Sequence, residues 1–553
     1  MLLAYQRPHP VGTSHLRSRL LVMYLSAAGN RGAPSTKAGS AMRTYVFHIH
    51  LRHEGCTIGD GVLELWSAAI GGMMLEELRV GGYKGFDGIR TAKLAPLTLV
   101  FGHNSAGKSA LAQSIVAMSQ TLNNDHRDVV FDFSGDLVDL GSLQNSTFRH
   151  DPTAQVSFGV KVRRDGERPG PVDSLHTALL ANVSYDFALR PGPDHEVRLA
   201  SAHLCSFGAG GLNVDFVIES QKSGTKIRWP EDSRFLTEAA HAVHRAAMDA
   251  RKAHQHDPIG YDGQRTQPRD DILGLSIDQI MANFERLQEV PLRTRQFLPH
   301  LAVGTGAAQI MLDPTGLLHD IVRTGVTNIR RELGGVSYLG PMRAAPQRIE
   351  QVSEKFRGQL GARGEGLIGM LDSSAQILSK TNEWLGTLDI PYEVRVERIA
   401  NRNLPSVGEY LSLALTDRRT NTTVSAKDLG YGLSQLLPVI AACVAPAKGP
   451  VVIEQPELHL HPRLQAELGK LFARTVIHRD GQQLIVETHS ENLILRVQRL
   501  VREQQLAPDQ VSIVYVGATK GVGSWIENIG LTESGEFTEE WPGGFFNERL
   551  EEW

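Results

Sequence analysis

The chain has 553 residues, 41% of them apolar and 21% charged, with a formal net charge of −4. These values fit a folded protein of several domain-sized units and exclude a global basic field for nucleic acid. Its three cysteines, Cys56, Cys205 and Cys443, lie far apart, which argues against a disulfide framework or a zinc site. No apolar run reaches the ~18 residues needed to span a bilayer, so a cytoplasmic protein with no membrane partner is expected.

Residues 1–73 contain HLRSRLLVMYLSAAG, which has the outline of a signal peptide. The apolar part is short and begins late, so the segment reads as a poorly ordered extension ahead of a true start at Met73 or Met74. MLEELRVGGYKGFDG then reads as a strand, with Leu78 and Val80 alternating after Leu75. An apolar strand follows over 97–101, and an amphipathic helix from Ser109 carries Ala110, Leu111, Ile115 and Met118 on one side. AQVSFGVKV, ANVSYDFAL, LNVDFVIES and TKIRWP alternate between turn residues and read as antiparallel strands, completing an N-terminal lobe over 74–232.

Residues 233–335 read as a helical insert with a polar loop at HQHDPIGYDGQRTQPRDD; no sustained heptad supports a long coiled-coil arm. Arg293, Arg295, Arg323, Arg330 and Arg331 make it the candidate basic face, although ordinary surface charge is the favoured reading. GVSYLGP (335–341) resumes a strand, and strands alternate with helices from about 390 to 516, the pattern of an α/β sheet. This defines a C-terminal lobe over 336–510, followed by a small C-terminal domain over 511–553.

Three stretches carry the chemistry. GHNSAGKS, Gly102 to Ser109, matches the phosphate-loop pattern between an apolar strand and a helix. Gly102 and Gly107 let the backbone N–H groups of Asn104, Ser105 and Ala106 turn toward phosphate, Lys108 supplies a charge, and Ser109 offers a hydroxyl to Mg²⁺. ATP and Mg²⁺ are the expected cofactors. PVVIEQPE is an apolar strand ending in acid, which makes Glu454 the second metal residue. Gln455 follows where a base is expected; an amide orients water but cannot accept its proton, so Glu457 is the candidate base. In ETHS, His489 at a strand end is placed to reach a γ-phosphate, and the competing reading is a helix-capping turn with Ser490 as N-cap. His459 and His461 suit a structural turn better than a metal pair. DLGYGLSQLLPVI puts Gly430, Gly432 and Ser434 at a helix N-terminus, an anion site suited to facing the phosphate loop of a second copy.

With GDLVDLGSL (135–143), YLGPMRAAPQR (338–348) and the terminal WPGGFF, these motifs resemble the ABC-type ATPase heads of SMC, RecF and overcoming-lysogenization-defect ATPases. More closely, they are similar to prokaryotic AAA-annotated ATPases with a C-terminal domain of unknown function. The resemblance implies an α/β P-loop ABC-type head: a mixed sheet flanked by helices, an antiparallel β lobe and a helical insert. It further implies a head-to-tail homodimer or higher homo-oligomer around two ATPs. Residues 102–109 would be its Walker A loop, Glu454 the Walker B acid, Gly432 and Ser434 the trans-acting signature and His489 the switch histidine. GYGLSQ departs from the usual Leu-Ser-Gly-Gly signature, and Gln120 and Gln144 both stand as candidates for the Q-loop glutamine. Such relatives work in DNA repair or anti-phage defence, commonly with a separate effector protein, and DNA is an open partner. Gln455 makes slow hydrolysis the expectation, suited to a sensor or clamp; the alternative is a non-hydrolysing ATP-dependent switch or scaffold. A transporter subunit or a built-in nuclease fits the motifs poorly.

Overall fold

The structure, a computed structural model, describes residues 73–126, 128–164, 182–194, 196–207, 213–221, 224–228, 292–301, 314–351, 358–399, 410–428, 430–478 and 482–542, with single residues 237, 241, 244, 276 and 279. The N-terminal extension, the polar loop, much of the expected helical insert and the WPGGFF tail beyond residue 542 lie outside them. No helix among the described residues is long and apolar enough to cross a membrane.

Strand β1 (Met73–Gly81) buries Leu75, Leu78 and Val80. Leu75 and Leu78 are three apart and still share a face, because the register shifts between Leu75 and Glu77 where β1 pairs with its neighbour. Then come β2 (Arg90–Lys93), β3 (Leu97–Gly102), helix α1 (Lys108–Asn123) and five strands: β4 (Val156–Arg164), β5 (Asn182–Pro191), β6 (Val197–Phe207), β7 (Asn213–Gln221) and β8 (Gly224–Arg228). They form an antiparallel seven-stranded sheet in the order β2-β1-β4-β5-β6-β7-β8. Of these, β6 is missing from the sequence reading. Its opening, VRLAS, pairs across a register irregularity between Ala188 and Leu189, which blurs the period of two.

Within the segment expected as a helical insert, β9 (Leu292–Arg295) and β10 (Leu298–Leu301) form a hairpin, and α2 (Pro314–Gly334) follows. Gln296, at the hairpin turn with φ 59°, accepts from Arg330 Nη2 at 3.1 Å. Arg330 is therefore engaged with the protein, and Arg331 pairs with Glu332 at 3.2 Å, so these two arginines do not form an open basic stripe.

The C-terminal lobe contains β11 (Ser337–Leu339), β12 (Glu350–Gln351), α3 (Leu367–Ser373), α4 (Ala375–Thr387), β13 (Tyr392–Ile399), β14 (Tyr410–Asp417), β15 (Thr422–Ser425), α5 (Tyr431–Val444), β16 (Val451–Glu454), α6 (Pro462–His478), β17 (Leu484–Glu487), α7 (Glu491–Arg502), β18 (Val511–Thr519) and β19 (Gly523–Ile529). The central sheet runs β11-β16-β17-β3-β18-β19. All its pairings are parallel except β18 with β19. Val511–Ile529, expected in a separate small domain, thus belongs to the central sheet.

This sheet is covered on both faces, as a parallel sheet must be. Val100, Val452, Ile485, Val514 and Val516 join α1 and the antiparallel sheet in one core. Their strand neighbours Leu99, Phe101, Ile453, Val486 and Ile513 join α5, α6 and α7 in the other. The effect on function is positional: the C-terminal ends of β16, β17 and β3 come side by side, the edge where open α/β sheets bind ligands.

Candidate functional site

The phosphate loop leaves β3 at Gly102, whose φ is 140°. An added Cβ there would lie 2.0 Å from the Val516 carbonyl oxygen, so no other residue fits without moving β18. Gly107, at φ 108°, caps α1, and Lys108 and Ser109 open the helix. Lys108 Nζ donates to the His103 carbonyl at 2.6 Å across the loop. Asn104 and Ser105 are exposed and Ala106 is buried, with Ser105 in the left-handed region at φ 59°.

Glu454 ends β16 and Glu487 ends β17, and the parallel register sets them directly opposite each other. Glu454 Oε1 accepts from Tyr338 Oη at 2.7 Å and from Gln113 Nε2 at 3.0 Å. Ser109 Oγ donates to Glu487 Oε1 at 2.9 Å, while Glu487 Oε2 is buried without a hydrogen-bond partner. Arg343, also buried, donates to the carbonyls of Glu454 at 2.7 Å and Gln455 at 3.2 Å. It thereby holds the turn where Gln455 takes φ 45°. The Gln455 N–H donates to the Glu487 carbonyl at 2.8 Å.

Glu457 does not swing freely. Its Oε1 accepts from the His489 backbone N–H at 2.7 Å, and its Oε2 is buried without a partner. Asn104, Gln455, Glu457, Leu458, His459, Gln465, His489 and Ser490 line one cleft of about 490 Å³. Ser490 Oγ caps α7 by accepting from Leu493 N–H at 3.3 Å, as the helix-capping reading of the ETHS turn expects, and His489, the residue before the cap, lines the cleft.

The residues expected as a signature sit elsewhere. Gly430 is the N-cap of α5 with no side-chain cap, Gly432 abuts the His459 carbonyl, and Ser434 Oγ donates to the Tyr431 carbonyl at 2.8 Å. Gly432 and Ser434 do not line the cleft. His459, exposed at φ 63°, and His461, whose Nδ1 accepts from Arg463 N–H at 3.3 Å, form the turn into α6. Neither Q-loop candidate is brought to the acids. Gln120 spends its amide on Asp132 and Val138, and Gln144 is exposed on a single turn at Leu143–Ser146. The glutamine that reaches Glu454 is Gln113.

Burial shapes the electrostatics. It pushes Glu454 and Glu457 above the usual carboxylate range. Glu487 is pushed up to about 7 by burial and by its neighbour Glu454. Burial lowers Lys108, with Glu487 and Glu457 opposing the shift, and burial plus Lys108 lower His489. Neutral His489 can donate or accept at physiological pH. Arg343 is lowered to about 10 and stays cationic.

A divalent cation fits these residues. Ser109 supplies a hydroxyl, Glu454 and Glu487 supply carboxylates, and Glu487 Oε2 is an orphaned buried acceptor. Among the described residues no three His, Cys, Asp or Glu side chains form a metal cage. Mg²⁺, which favours one or two carboxylates plus phosphate oxygens and water, matches such an incomplete set.

The loop, the acids facing it and the strand order define the class: an α/β fold built around a phosphate-binding loop, of the P-loop nucleotide-binding kind. Residues 222–496 match the family described as "AAA domain, putative AbiEii toxin, Type IV TA system". No curated protein matches. Solved structures with a similar arrangement include an Smc head bound to the C-winged helix domain of ScpA, at 12% identity over 83% of this chain and 99% of that one, TM-score 0.37. The Pyrococcus furiosus Smc head with an extended coiled coil, bound to the C-terminal domain of ScpA, has 12% identity over 83% and 96%, TM-score 0.38. The Thermotoga maritima SMC head domain has 11% identity over 82% and 98%, TM-score 0.29. The fold assignment rests on the chain's own strand order and phosphate loop.

The buried acids make stability depend on pH. A carboxylate whose folded pKa is raised binds more protons folded than unfolded, so stability falls as pH rises from the ordinary value of 4.5 through the raised one. Glu487 and Glu332, both near 7, set a window of about 4.5 to 7, and His489, lowered, opposes them only around the ordinary histidine range. The nucleotide-free protein is expected to melt at a higher temperature at pH 5.5 than at pH 7.5, with a smaller difference in Glu487→Gln. A melting temperature that climbs across this window would contradict the buried acids.

Proposed function

We propose that this protein binds MgATP, pairs two copies around it and hydrolyses it slowly, acting as a sensor or clamp in a DNA-repair or anti-phage defence complex. The observation that carries the reading is the cleft in which Gln455, Glu457 and His489 meet beside Asn104 of the phosphate loop. Lys108 and the N–H groups of 102–109 would hold the phosphates, with Ser109 and Glu454 at the metal. Gln455 orients the attacking water and the fixed carboxylate of Glu457 takes its proton. Mg²⁺, when bound, supplies charge to the phosphate oxygens. The uncapped N-terminus of α5, with Gly432 and Ser434, supports contact with the ATP of a second copy rather than its own. The matched family's description, which names a putative AbiEii toxin of a type IV TA system, supports the defence setting.

A second reading, an ATP-dependent switch or scaffold without turnover, is favoured by the amide at Gln455. Steady-state phosphate release with Mg²⁺, together with mass by light scattering with and without ATP, separates the two. Turnover with ATP-induced doubling of mass is expected. Lys108→Ala should lose both, through about a 10- to 100-fold weaker grip on nucleotide, the worth of one charge-assisted contact. Doubling without phosphate release, with turnover appearing only in Gln455→Glu, would establish the switch. Neither binding nor doubling in wild type would overturn both readings.

A further inference from the structure

Two carboxylates, not one, meet the N-terminal half of α1 beside the phosphate loop. VVIE and LIVE are neighbouring buried strands of equal length that end in register at Glu454 and Glu487, with 2% and 1% of their surfaces exposed. Their surroundings differ. Glu454 Oε1 already takes two donors, Tyr338 Oη and Gln113 Nε2, from β11 and α1. Glu487 takes its one side-chain donor from Ser109, the hydroxyl that opens the phosphate-binding helix, and its second oxygen has no partner although it is fully enclosed. An enclosed, unpartnered carboxylate oxygen is costly, and in a native site it calls for an explanation such as an ion that fills it. Lys108 and Arg343 are the cations near this cluster, yet Lys108 is turned to the His103 carbonyl and Arg343 to the carbonyls of the Walker B turn.

We propose that Glu487 is a second acidic residue of the Mg²⁺ site, the carboxylate that faces Ser109, and that Glu454 works beside it as the acid whose orientation Tyr338 and Gln113 fix. In the nucleotide-free protein Glu487 keeps the Ser109 hydroxyl at the mouth of the site. With MgATP bound, its free oxygen would be the atom available to the cation. The assignment rests on the nucleotide-binding reading above and extends it to a residue outside the Walker pattern.

The test uses Mn²⁺ as the probe, with the full chain and a non-hydrolysable ATP analogue. Free Mn²⁺ is read from its electron paramagnetic resonance signal, and nucleotide affinity is measured separately with and without Mg²⁺. Glu487→Gln keeps an oxygen that can accept from Ser109 and removes only the charge. It should weaken Mn²⁺ at least about tenfold and abolish most of the gain in nucleotide affinity that Mg²⁺ brings, without weakening metal-free nucleotide binding, because a negative charge near the phosphates is removed. Glu487→Asp, which keeps the charge one methylene back, should fall between, and it decides the matter if the glutamine variant does not fold. Mn²⁺ affinity within about twofold of wild type in Glu487→Gln, or in Glu487→Asp where that alone folds, while Ser109→Ala loses it, overturns the assignment. A wild type that binds no nucleotide at all instead overturns the reading on which it rests.

Discussion

Glu457→Gln is expected to lower the rate of ATP hydrolysis by about 100- to 10,000-fold, the span typical of removing a general base. Nucleotide affinity should stay within a fewfold of wild type. The substitution is conservative in shape: the amide oxygen can still accept from the His489 N–H, which the carboxylate holds at 2.7 Å. What disappears is basicity. Burial holds Glu457 above the usual carboxylate range, closer to working pH, where a base is most effective. Wild-type turnover should therefore rise with pH through that raised value, and the rise should vanish in the variant. Single-turnover rates across pH check both parts. Turnover preserved within about threefold in Glu457→Gln would return the base to another group, with His489, which lines the same cleft, next in line.

The second large effect is expected at Gly102. Gly102→Ala puts a methyl 2.0 Å from the Val516 carbonyl and asks alanine to adopt φ 140°. The backbone strain alone is on the order of 1–3 kcal/mol. The clash adds to it, because a backbone carbonyl in a parallel sheet cannot turn aside as a side chain can. Thermal melting should show a drop of several degrees or loss of the folded protein, together with loss of nucleotide binding. Gly369→Ala provides the contrast. It lies within α3 and nothing meets the added Cβ within 4 Å, so it should stabilise slightly, by about 0.5–1 kcal/mol. Equal melting of Gly102→Ala and wild type would mean that β3 and β18 tolerate separation.

The parts legible in the sequence were those with a local signature. Leu97–Gly102 reads as a strand because it is apolar but for Thr98, and Lys108–Asn123 reads as a helix because its apolar residues recur at helical spacing behind a glycine. The partners of the acids were not legible, because contact between them depends on which strands are neighbours. Tyr338 and Gln113 reach Glu454 from positions more than a hundred residues away, and nothing local marks either as a second-layer group. Glu487 did leave a signal, since LIVE repeats the pattern of VVIE; its meaning appears only when the parallel register sets the two ends together. VSIVYVG was set apart as a terminal domain by its position in the chain, although a continuous buried apolar run is the mark of a central parallel strand.

The strand order has a consequence for how the protein comes into being. β3, which delivers the phosphate loop, lies between β17 and β18, strands that the ribosome releases some four hundred residues later. Until Leu484–Glu487 and Val511–Thr519 have emerged, the loop has no walls, and Gly102 has no Val516 to rest against. Contacts of such long range close slowly and late. On the nucleotide-binding reading, a growing chain is therefore inert toward nucleotide through most of its synthesis, and the site is complete only once both lobes are joined through the sheet.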